Sequence, residues 1–309
     1  MIIEAIIFII GIILLVKGAD YFVGGGSGLA ARFGVSAATI GFTVIAFGTS
    51  LPEFVVSVNA IISHDGGIAL GNVLGSNIAN IALVLALCAI INPKIVGSRA
   101  TAGLMLRETW LMLAATVLFL LLAMRGAFDV WAGAAMLIAF VAILAVLWRG
   151  GGAAAGAEGE VRSHGRRDII LTLGGLLAVI IGAQLVVDTA VKIAGALGVP
   201  TFIIGLSIVA IGTSLPELAT SIVAIMKNEG GISVGNILGS NIFNLLFVMG
   251  VGALISPVLI GSLTDVLITA AFSAAVIPLF LLGDRMTRLW AAGLLAAYAL
   301  YIGAIFGLL

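Results

Sequence analysis

Two glutamates of this chain lie where a membrane-spanning protein tolerates them least. Glu53 and Glu217 each occupy the middle of an apolar run long enough to cross a bilayer. A carboxylate at that depth costs roughly 2.5 to 3.5 kcal/mol or more unless something compensates it. A buried ion pair is the alternative explanation, but neither run contains a Lys or Arg that could be the partner. The two acids therefore indicate a bound cation.

Both glutamates end the same motif, Gly-Thr-Ser-Leu-Pro-Glu. In the first copy Thr49 and Glu53 are four residues apart, so the hydroxyl and the carboxylate share one face of a helix, with Ser50 beside them. Pro52 has no amide hydrogen and its ring crowds the carbonyl of Gly48, so we expect the helix to kink or unwind and to free carbonyl oxygens as ligands. The second copy repeats the arrangement with Thr213, Ser214, Pro216 and Glu217.

A second polar motif follows each glutamate and predicts a helix with one oxygen-rich face. Its members recur every four residues, as Asn72, Ser76 and Asn80 in the first copy and as Asn236, Ser240 and Asn244 in the second. Gly71 and Gly75 are expected to serve helix packing. Carboxylate, hydroxyl, amide and carbonyl oxygens form a hard-oxygen ligand set suited to Ca²⁺ or Na⁺, without the sulfur or imidazole that softer metals prefer.

The composition places these motifs in a membrane. The chain has 309 residues, of which 62% are hydrophobic and only 9% charged, far more apolar than a soluble domain. Because about 20 apolar residues cross a bilayer as a helix, the sequence predicts an all-α polytopic membrane protein. The ten predicted spans are 2–23, 38–62, 67–91, 104–124, 127–148, 169–188, 202–226, 231–255, 264–283 and 287–308. Apart from the lipid bilayer and the transported ions we expect no cofactor, no nucleic acid and no obligatory protein partner.

The polar motifs belong to an internal repeat. Residues 18–93 and 182–257 are two copies of one segment, aligned without a gap. Each half of the chain contributes five spans, an odd number, so the second copy enters the membrane from the opposite side and the halves form an inverted repeat. The predicted units are a first half at 1–148, a cytoplasmic linker at 149–168 and a second half at 169–309. Such a repeat brings the two equivalent glutamates face to face near the midplane.

The positive charges predict the orientation in the membrane. Eleven of the 14 Lys and Arg residues lie in or beside connections that follow odd-numbered spans. Because positively charged short loops stay in the cytoplasm, both termini are predicted to be extracellular and the protein to lie in the cell membrane. Lys17 and Asp20, three residues apart near the end of the first span, are predicted to form a local pair.

Both repeats closely resemble the alpha-repeats of the calcium/cation antiporter superfamily, and the ten-span chain looks like a prokaryotic sodium/calcium exchanger. The resemblance rests on Gly-Thr-Ser-Leu-Pro-Glu followed by Gly-Asn-x-Leu-Gly-Ser-Asn-Ile-x-Asn in each copy. It implies that Glu53 and Glu217 are the principal Ca²⁺ ligands. It also implies that oxygens for Na⁺ or Ca²⁺ come from Thr49, Ser50, Ser76, Thr213, Ser214 and Ser240, from the carbonyls of Ala46 and Ala210, and, at the edge of the site, from Asn80 and Asn244.

One position departs from that family. Sodium/calcium exchangers often carry an aspartate where this chain has Asn244, and here both equivalents, Asn80 and Asn244, are amides. Proton/calcium relatives also have amides at these places, but they usually lack the Thr-Ser-Leu-Pro context that this chain keeps. The resemblance therefore favours exchange of Ca²⁺ for Na⁺ and leaves H⁺ coupling as the alternative.

The charge of the site also favours exchange over other functions. Two glutamates give an empty site about two negative charges, which a low-dielectric protein encloses only at high cost, so the loaded site should change access far more easily. The resemblance further implies that spans one and six slide as a gating pair against the other eight. A cation channel, the alternative from another class, would more naturally use a ring of identical segments from several subunits. We expect no enzymatic activity, because no span contains a histidine or a reactive cysteine constellation.

Overall fold

The protein is almost entirely helical. The computed structural model describes residues 2–96, 99–151, 163–197 and 212–305. The elements of the first half are α1 (Ile2–Phe33), α2 (Ala37–Ile40), α3 (Ala46–Thr49), α4 (Leu51–Ile62), α5 (Gly66–Ala79), α6 (Ala86–Ile91), α7 (Pro93–Val96), α8 (Arg99–Ala123), β1 (Ala127–Phe128) and α9 (Val130–Gly151). Those of the second half are α10 (Arg166–Ala196), α11 (Leu215–Met226), α12 (Gly230–Ile242), α13 (Met249–Ile255), β2 (Val258–Leu259), α14 (Thr264–Ala274), α15 (Ile277–Leu281) and α16 (Asp284–Ile305).

Among the residues that the structure describes, eight helices are long and apolar enough to cross a membrane. They are Ile3–Phe33, Gly66–Ile91, Leu106–Ala123, Val130–Arg149, Arg166–Ala196, Gly230–Ile255, Thr264–Leu281 and Asp284–Ile305. Ala37–Thr49 and Leu51–Ile62 add a ninth span, which is bent by 47°. The predicted seventh span is described only in its second part, as α11, because 198–211 lie outside the described residues. Over the described residues, the predicted spans thus lie mainly in helix, although the fifth begins with β1 and the second and ninth are interrupted.

Two helices are longer than hydropathy predicts. α1 continues to Phe33, where the apolar run predicts an end at 23, and α10 continues to Ala196, where it predicts 188. Helical hydrogen bonding does not stop where the apolar run ends, so composition fixes the membrane segment better than it fixes the helix ends. The predicted linker 149–168 starts as the last turn of α9 and ends inside α10; its part at 152–162 lies outside the described residues.

The predicted break before each glutamate is confirmed. α3 stops at Ser50, whose φ of −89° and ψ of 9° leave the helical region, and α4 starts again at Leu51 with Pro52 in its first turn. Ser214 has nearly the same angles, φ −88° and ψ 6°, and α11 starts after it with Pro216 in its first turn. Because proline lacks the amide hydrogen that a helix interior requires, it is tolerated in the first turn and the helix restarts there.

Within the described residues, three π-helical segments interrupt the helices around these breaks. They are Gly41–Ile45, Asn80–Leu85 and Phe243–Val248. The last two lie at matching places in the repeats, at the end of α5 and of α12, and contain Asn80 and Asn244. π-Helical turns are rare and are frequently found at functional sites.

Contacts at the two ends of the bundle agree with the predicted inversion. At one end β1 and β2 pair as a two-residue antiparallel ladder, Ala127 with Leu259 and Phe128 with Val258. This ladder joins the connections after spans four and eight and is the one exception to the all-α prediction in the described chain. At the other end Arg32 donates from Nη1 to the carbonyl of Gly165, at 3.5 Å, which joins the connections after spans one and five. Connections of equal parity therefore meet, as alternating spans require.

The main hydrophobic core surrounds α5 and α12, the helices that carry the second polar motif. α1 and α10 pack mainly on each other. All residues of α12 are buried. Along the α1–α10 contact a Cβ added at Gly18 would lie 2.7 Å from the backbone nitrogen of Val179, and one added at Gly175 would lie 2.4 Å from that of Phe22. Gly182 meets the backbone of Leu15 at 2.5 Å in the same way. Glycine is thus required where the two backbones touch.

The predicted local pair of Lys17 with Asp20 is wrong. Asp20 pairs with Lys227, which follows α11: Lys227 Nζ lies 2.7 Å from Asp20 Oδ1 and 2.9 Å from the Asp20 carbonyl oxygen. The predicted spans do not show which other helix packs against α1. Spacing along α1 therefore could not reveal a partner in the other repeat. The bond ties α1 to the end of the helix that carries Glu217.

We expect the Asp20–Lys227 bond to contribute little to stability. Both side chains are more than a third exposed, at 40% and 35%, and such pairs contribute less than about 1 kcal/mol. Lys227→Met should therefore shift the midpoint of thermal unfolding in detergent by only a few degrees, and the shift should shrink in high salt. Asp20→Asn is the matched variant and should behave alike. A large shift that salt does not reduce would contradict this assignment.

Candidate cation site

Both glutamates lie at the start of a half-helix, buried in protein. Glu53 is in the first turn of α4 and Glu217 in the first turn of α11, and their exposed fractions are 1% and 0%. The positive end of a helix dipole favours a carboxylate in the first turn. This local stabilisation helps to explain how two acids can be buried with no basic partner among the described residues.

The predicted approach of the two motifs is observed. Ser50, at the break of the first repeat, donates from Oγ to Glu217 Oε1 of the second repeat at 2.8 Å. The break of one repeat thus lies against the acid of the other.

Asparagines of the second motif hold both breaks. Asn72 donates from Nδ2 to Ser57 Oγ at 2.9 Å and to the Glu53 carbonyl oxygen at 3.2 Å. Its equivalent Asn236 donates to Ser221 Oγ at 3.0 Å, and its Oδ1 accepts a bond of 3.0 Å from Thr49 Oγ1. The amides therefore fix the half-helices that carry the acids and orient a hydroxyl that the sequence assigns to the site.

Several buried oxygens of the site remain without a hydrogen-bond partner among the described residues. These atoms are Oε2 of both glutamates, Oγ of Ser214 and Ser240, and Oδ1 of Asn80 and Asn244. An unsatisfied buried polar atom is costly, and a carboxylate oxygen more so. Such a set, rich in oxygen and bearing two acids, has the composition that Ca²⁺ and Na⁺ require. Oxygens of these types are the ones that a bound cation would use as ligands.

The remaining predicted ligands fit this picture to different degrees. Ser76 is nearly buried, at 5% exposure, on the α5 face that carries Asn72 and Asn80. The Ala46 carbonyl accepts bonds from the Ser50 amide at 3.1 Å and from Thr49 Oγ1 at 3.3 Å. Thr213 is partly buried beside the second break. Ala210 lies outside the described residues. All twelve assignments as ion ligands stay predictions.

The glycines of the second motif pack as expected where their neighbours are described. A Cβ at Gly235 would lie 2.5 Å from the Ala38 carbonyl oxygen and one at Gly239 would lie 2.4 Å from that of Phe42. The equivalent neighbours of Gly71 and Gly75 in the other repeat would be residues 202 and 206, outside the described part of the chain. α12 is thereby pressed against the broken span of the first repeat.

Sequence reasoning missed four polar residues of this region. Ser57 and Ser221 receive the asparagine bonds, and Asn77 and Asn241 bond across the repeat interface. A usable signal existed, because each of these residues is polar in both copies of the repeat, and Ser57 follows Glu53 by one helical turn. None of the four lies at a position that the spacing of the two motifs assigns to cation ligands.

The contacts of the site are not symmetric, although the motifs are. Ser50 binds the opposite glutamate, whereas no hydrogen bond reaches Oγ of its equivalent Ser214 within the described residues. Asn80 is likewise held by a bond that its equivalent Asn244 lacks there. The two halves thus have the same chemistry in different arrangements.

Comparison with known proteins identifies the family. The family model described as sodium/calcium exchanger protein matches residues 3–149 and 168–307. The chain is 30% identical to the sodium/calcium exchanger MaX1 of Methanosarcina acetivorans over 84% of this chain and 85% of that protein. It is 36% identical to the inner membrane protein YrbG of Escherichia coli over 83% and 81% of the two chains.

A solved structure shows the same fold. The sodium-calcium exchanger NCX_Mj, from a crystal soaked with zero Na⁺ and Ca²⁺, superposes with a TM-score of 0.83 at 34% identity, over 98% of this chain and 99% of that one. Together with the family match, which covers nearly the whole sequence, this likeness confirms the resemblance drawn from the two motifs. The chain is a multi-pass membrane protein that belongs to the sodium/calcium exchanger family.

Proposed function

We propose that this protein exchanges Ca²⁺ for Na⁺ across the cell membrane by alternating access at a site formed around Glu53 and Glu217. The observation that carries the proposal is the pair of buried carboxylates, one from each repeat, each with an oxygen unpartnered among the described residues. Relatives of this chain are named sodium/calcium exchangers, which supports the choice of ions.

Charge explains why transport of one ion would require the other. One Ca²⁺ neutralises two carboxylates, and two Na⁺ do the same, whereas the empty site keeps two negative charges inside the protein. Because burying uncompensated charge costs several kcal/mol per ion, the empty site should change access rarely. Shared ligands then make the two ion loads compete, so each displaces the other and exchange is obligatory. A third Na⁺ would make the cycle electrogenic.

The unequal contacts of the two repeats support alternation. In transporters built from inverted repeats, alternating access moves one part of the protein against the other around a fixed site. We infer that the two repeats exchange their roles between the two access states. In the other access state Ser214 would bind Glu53 as Ser50 binds Glu217 here. The exposure of the site to the two sides of the membrane would change with this reversal.

The α1–α10 pair is the part suited to move. α1 and α10 pack on each other through glycine, and within the described residues Asp20 with Lys227 is a polar contact that joins the pair to the other spans. Close backbone contact through small residues holds the two helices together, so we expect the pair to move as one body against the other spans. We assign the pair as the gate, with the other eight spans as the scaffold that holds the ligands.

The orientation belongs to the same proposal. Positively charged connections after odd-numbered spans put the segment 149–168 in the cytoplasm and both termini outside. Arg32 and the Gly165 carbonyl, which meet at one end of the bundle, would then lie on the cytoplasmic side. Labelling of single cysteines placed at Ser163 and at Gly126 with an impermeant reagent in intact cells should modify the second alone.

The deciding experiment compares driving forces in liposomes that contain the purified protein. With Na⁺ inside and Ca²⁺ outside, the outward Na⁺ gradient should drive Ca²⁺ uptake, and replacing Na⁺ by choline should stop it. A pH gradient without Na⁺ is the second arm. Uptake in that arm alone would replace Na⁺ by H⁺ as the coupling ion. Ca²⁺ flux that needs no counter-ion would instead indicate a channel and refute exchange.

A further inference from the structure

Asn77 and Asn241 form a reciprocal clasp between the repeats. Asn77 Nδ2 donates to the Asn241 carbonyl oxygen at 3.2 Å, and Asn241 Nδ2 donates to the Asn77 carbonyl oxygen at 3.3 Å. Both side chains are fully buried. In addition, Asn241 Oδ1 accepts a bond of 3.1 Å from Asn80 Nδ2. The clasp therefore continues into a residue that the sequence places at the edge of the cation site.

The chemistry of the chain of bonds fixes which way the Asn80 amide points. A backbone carbonyl can only accept, so the Asn241 atom that faces the Asn77 carbonyl must be the NH₂ group. The opposite atom of Asn241 is then its oxygen, which can only accept. The Asn80 atom that faces it must therefore be its NH₂ group, and the Asn80 oxygen must point away. That oxygen is buried and has no hydrogen-bond partner among the described residues.

We propose that Asn241 is a positioning residue of the exchanger, which holds the Asn80 amide so that its oxygen, and not its NH₂ group, is presented to the cation. The assignment rests on the proposed function, in which Asn80 borders the ion site. An NH₂ group at the same place would repel a cation, so a freely rotating amide would present the wrong end part of the time. A bond to Asn241 prevents that rotation.

The equivalent relay through Asn77 is open in this arrangement. Asn77 Oδ1 is the acceptor that Asn244 would need, yet neither it nor Asn244 Nδ2 has a hydrogen-bond partner within the described part of the chain. The clasp itself is symmetric. The difference is that, among the described residues, Asn80 bonds to the opposite clasp residue and Asn244 does not. Asn80 is thus the one of these two amides that a bond to the opposite repeat orients.

A matched pair of variants tests the assignment in the liposome assay. Asn241→Ala removes the clasp bond and the acceptor for Asn80, so we expect the KM for Ca²⁺ to rise about tenfold with the maximal rate less affected, as when a single buried hydrogen bond is lost. Asn77→Ala removes the same kind of bond at equal burial but leaves the Asn80 acceptor in place. The KM of Asn77→Ala should stay within about twofold of the wild type, while its loss of thermal stability should be similar to that of Asn241→Ala.

A double variant separates positioning from a structural role. If Asn241 acts through Asn80, then Asn80→Ala together with Asn241→Ala should have the KM of Asn80→Ala alone, whereas independent effects would multiply. Should Asn241→Ala fail to fold, Asn241→Asp is the second variant. It keeps an oxygen that accepts from Asn80 but loses the donor to Asn77, so the Ca²⁺-induced rise in unfolding temperature should remain. A folded Asn241→Asp protein in which Ca²⁺ no longer raises the unfolding temperature would overturn the proposal.

Failure of this proposal and of the proposed function look different. Wild-type protein without Na⁺-driven Ca²⁺ uptake would refute the function itself. Normal exchange, with equal KM values for Asn241→Ala and Asn77→Ala or with multiplying effects in the double variant, would refute only the positioning role.

Discussion

Replacing either Glu53 or Glu217 by Gln is expected to abolish Na⁺-driven Ca²⁺ uptake and to weaken Ca²⁺ binding by more than about 100-fold. Gln keeps the shape and one oxygen of the side chain but removes its charge. A hydrogen bond to a charged group alone contributes about 1.5 to 3 kcal/mol, and the contact of a carboxylate with a divalent ion is stronger, so a loss of this size in affinity is expected. The remaining single charge cannot neutralise a divalent ion in a buried site. Uptake of ⁴⁵Ca²⁺ into liposomes and the Ca²⁺-induced rise in unfolding temperature in detergent measure the two effects.

The matched control is Glu229→Gln, the same chemical change in the loop between α11 and α12. This glutamate is partly exposed and follows the half-helix of Glu217, so it reports any general effect of removing an acid from this region. We expect uptake and the Ca²⁺-induced stabilisation to remain. If Glu217→Gln retained both as well, the carboxylate pair would not be the ion site.

The second large effect is expected from Gly175→Ala. The added methyl group would lie 2.4 Å from the Phe22 backbone nitrogen and 2.8 Å from the Gly18 carbonyl oxygen, so α10 must move away from α1. Overpacking of this kind costs about 1 to 3 kcal/mol, and here it also disrupts the proposed gate. We expect a drop of several degrees in the unfolding midpoint and a loss of most of the exchange rate.

The neighbouring Gly174→Ala is an unusually close control. A Cβ at Gly174 would meet no atom within 4 Å among the described residues, and alanine is the better helix former by about 1 kcal/mol. This variant should therefore be as stable as the wild type, or more so, with normal exchange. Equal loss in both variants would mean that glycine is needed for helix flexibility and not for the contact with α1.

The fold was largely predictable because the signals that determine it are local or repeated. Long apolar runs predicted the spans, and the duplicated motifs predicted the break before Glu53 and the approach of the two motifs to each other. The unit boundaries and the side of each terminus stay predictions. The predicted ends of α1 and α10 were wrong by up to a few helical turns. The length of an apolar run reflects the thickness of the membrane, whereas the helix continues beyond it.

The parts that escaped sequence reasoning depend on partners distant in the chain. Asp20 was assigned to Lys17, three residues away, because only local spacing was available, whereas its partner is Lys227. The asymmetry between Asn80 and Asn244 was also beyond reach, because two copies of one motif predict equal surroundings. Which copy is engaged is a property of the conformation and is not encoded in either motif.

The bonds that cross between the repeats have a consequence for how such a protein could have arisen. Ser50 with Glu217, Thr49 with Asn236 and Asn77 with Asn241 each join one half to the other. A single ancestral half would leave its carboxylate and amides unsatisfied in the lipid, so it could persist only as an antiparallel dimer with a second copy of itself. In one fused chain the two halves need not be identical, so each can differ in sequence while it still supplies bonding partners to the other.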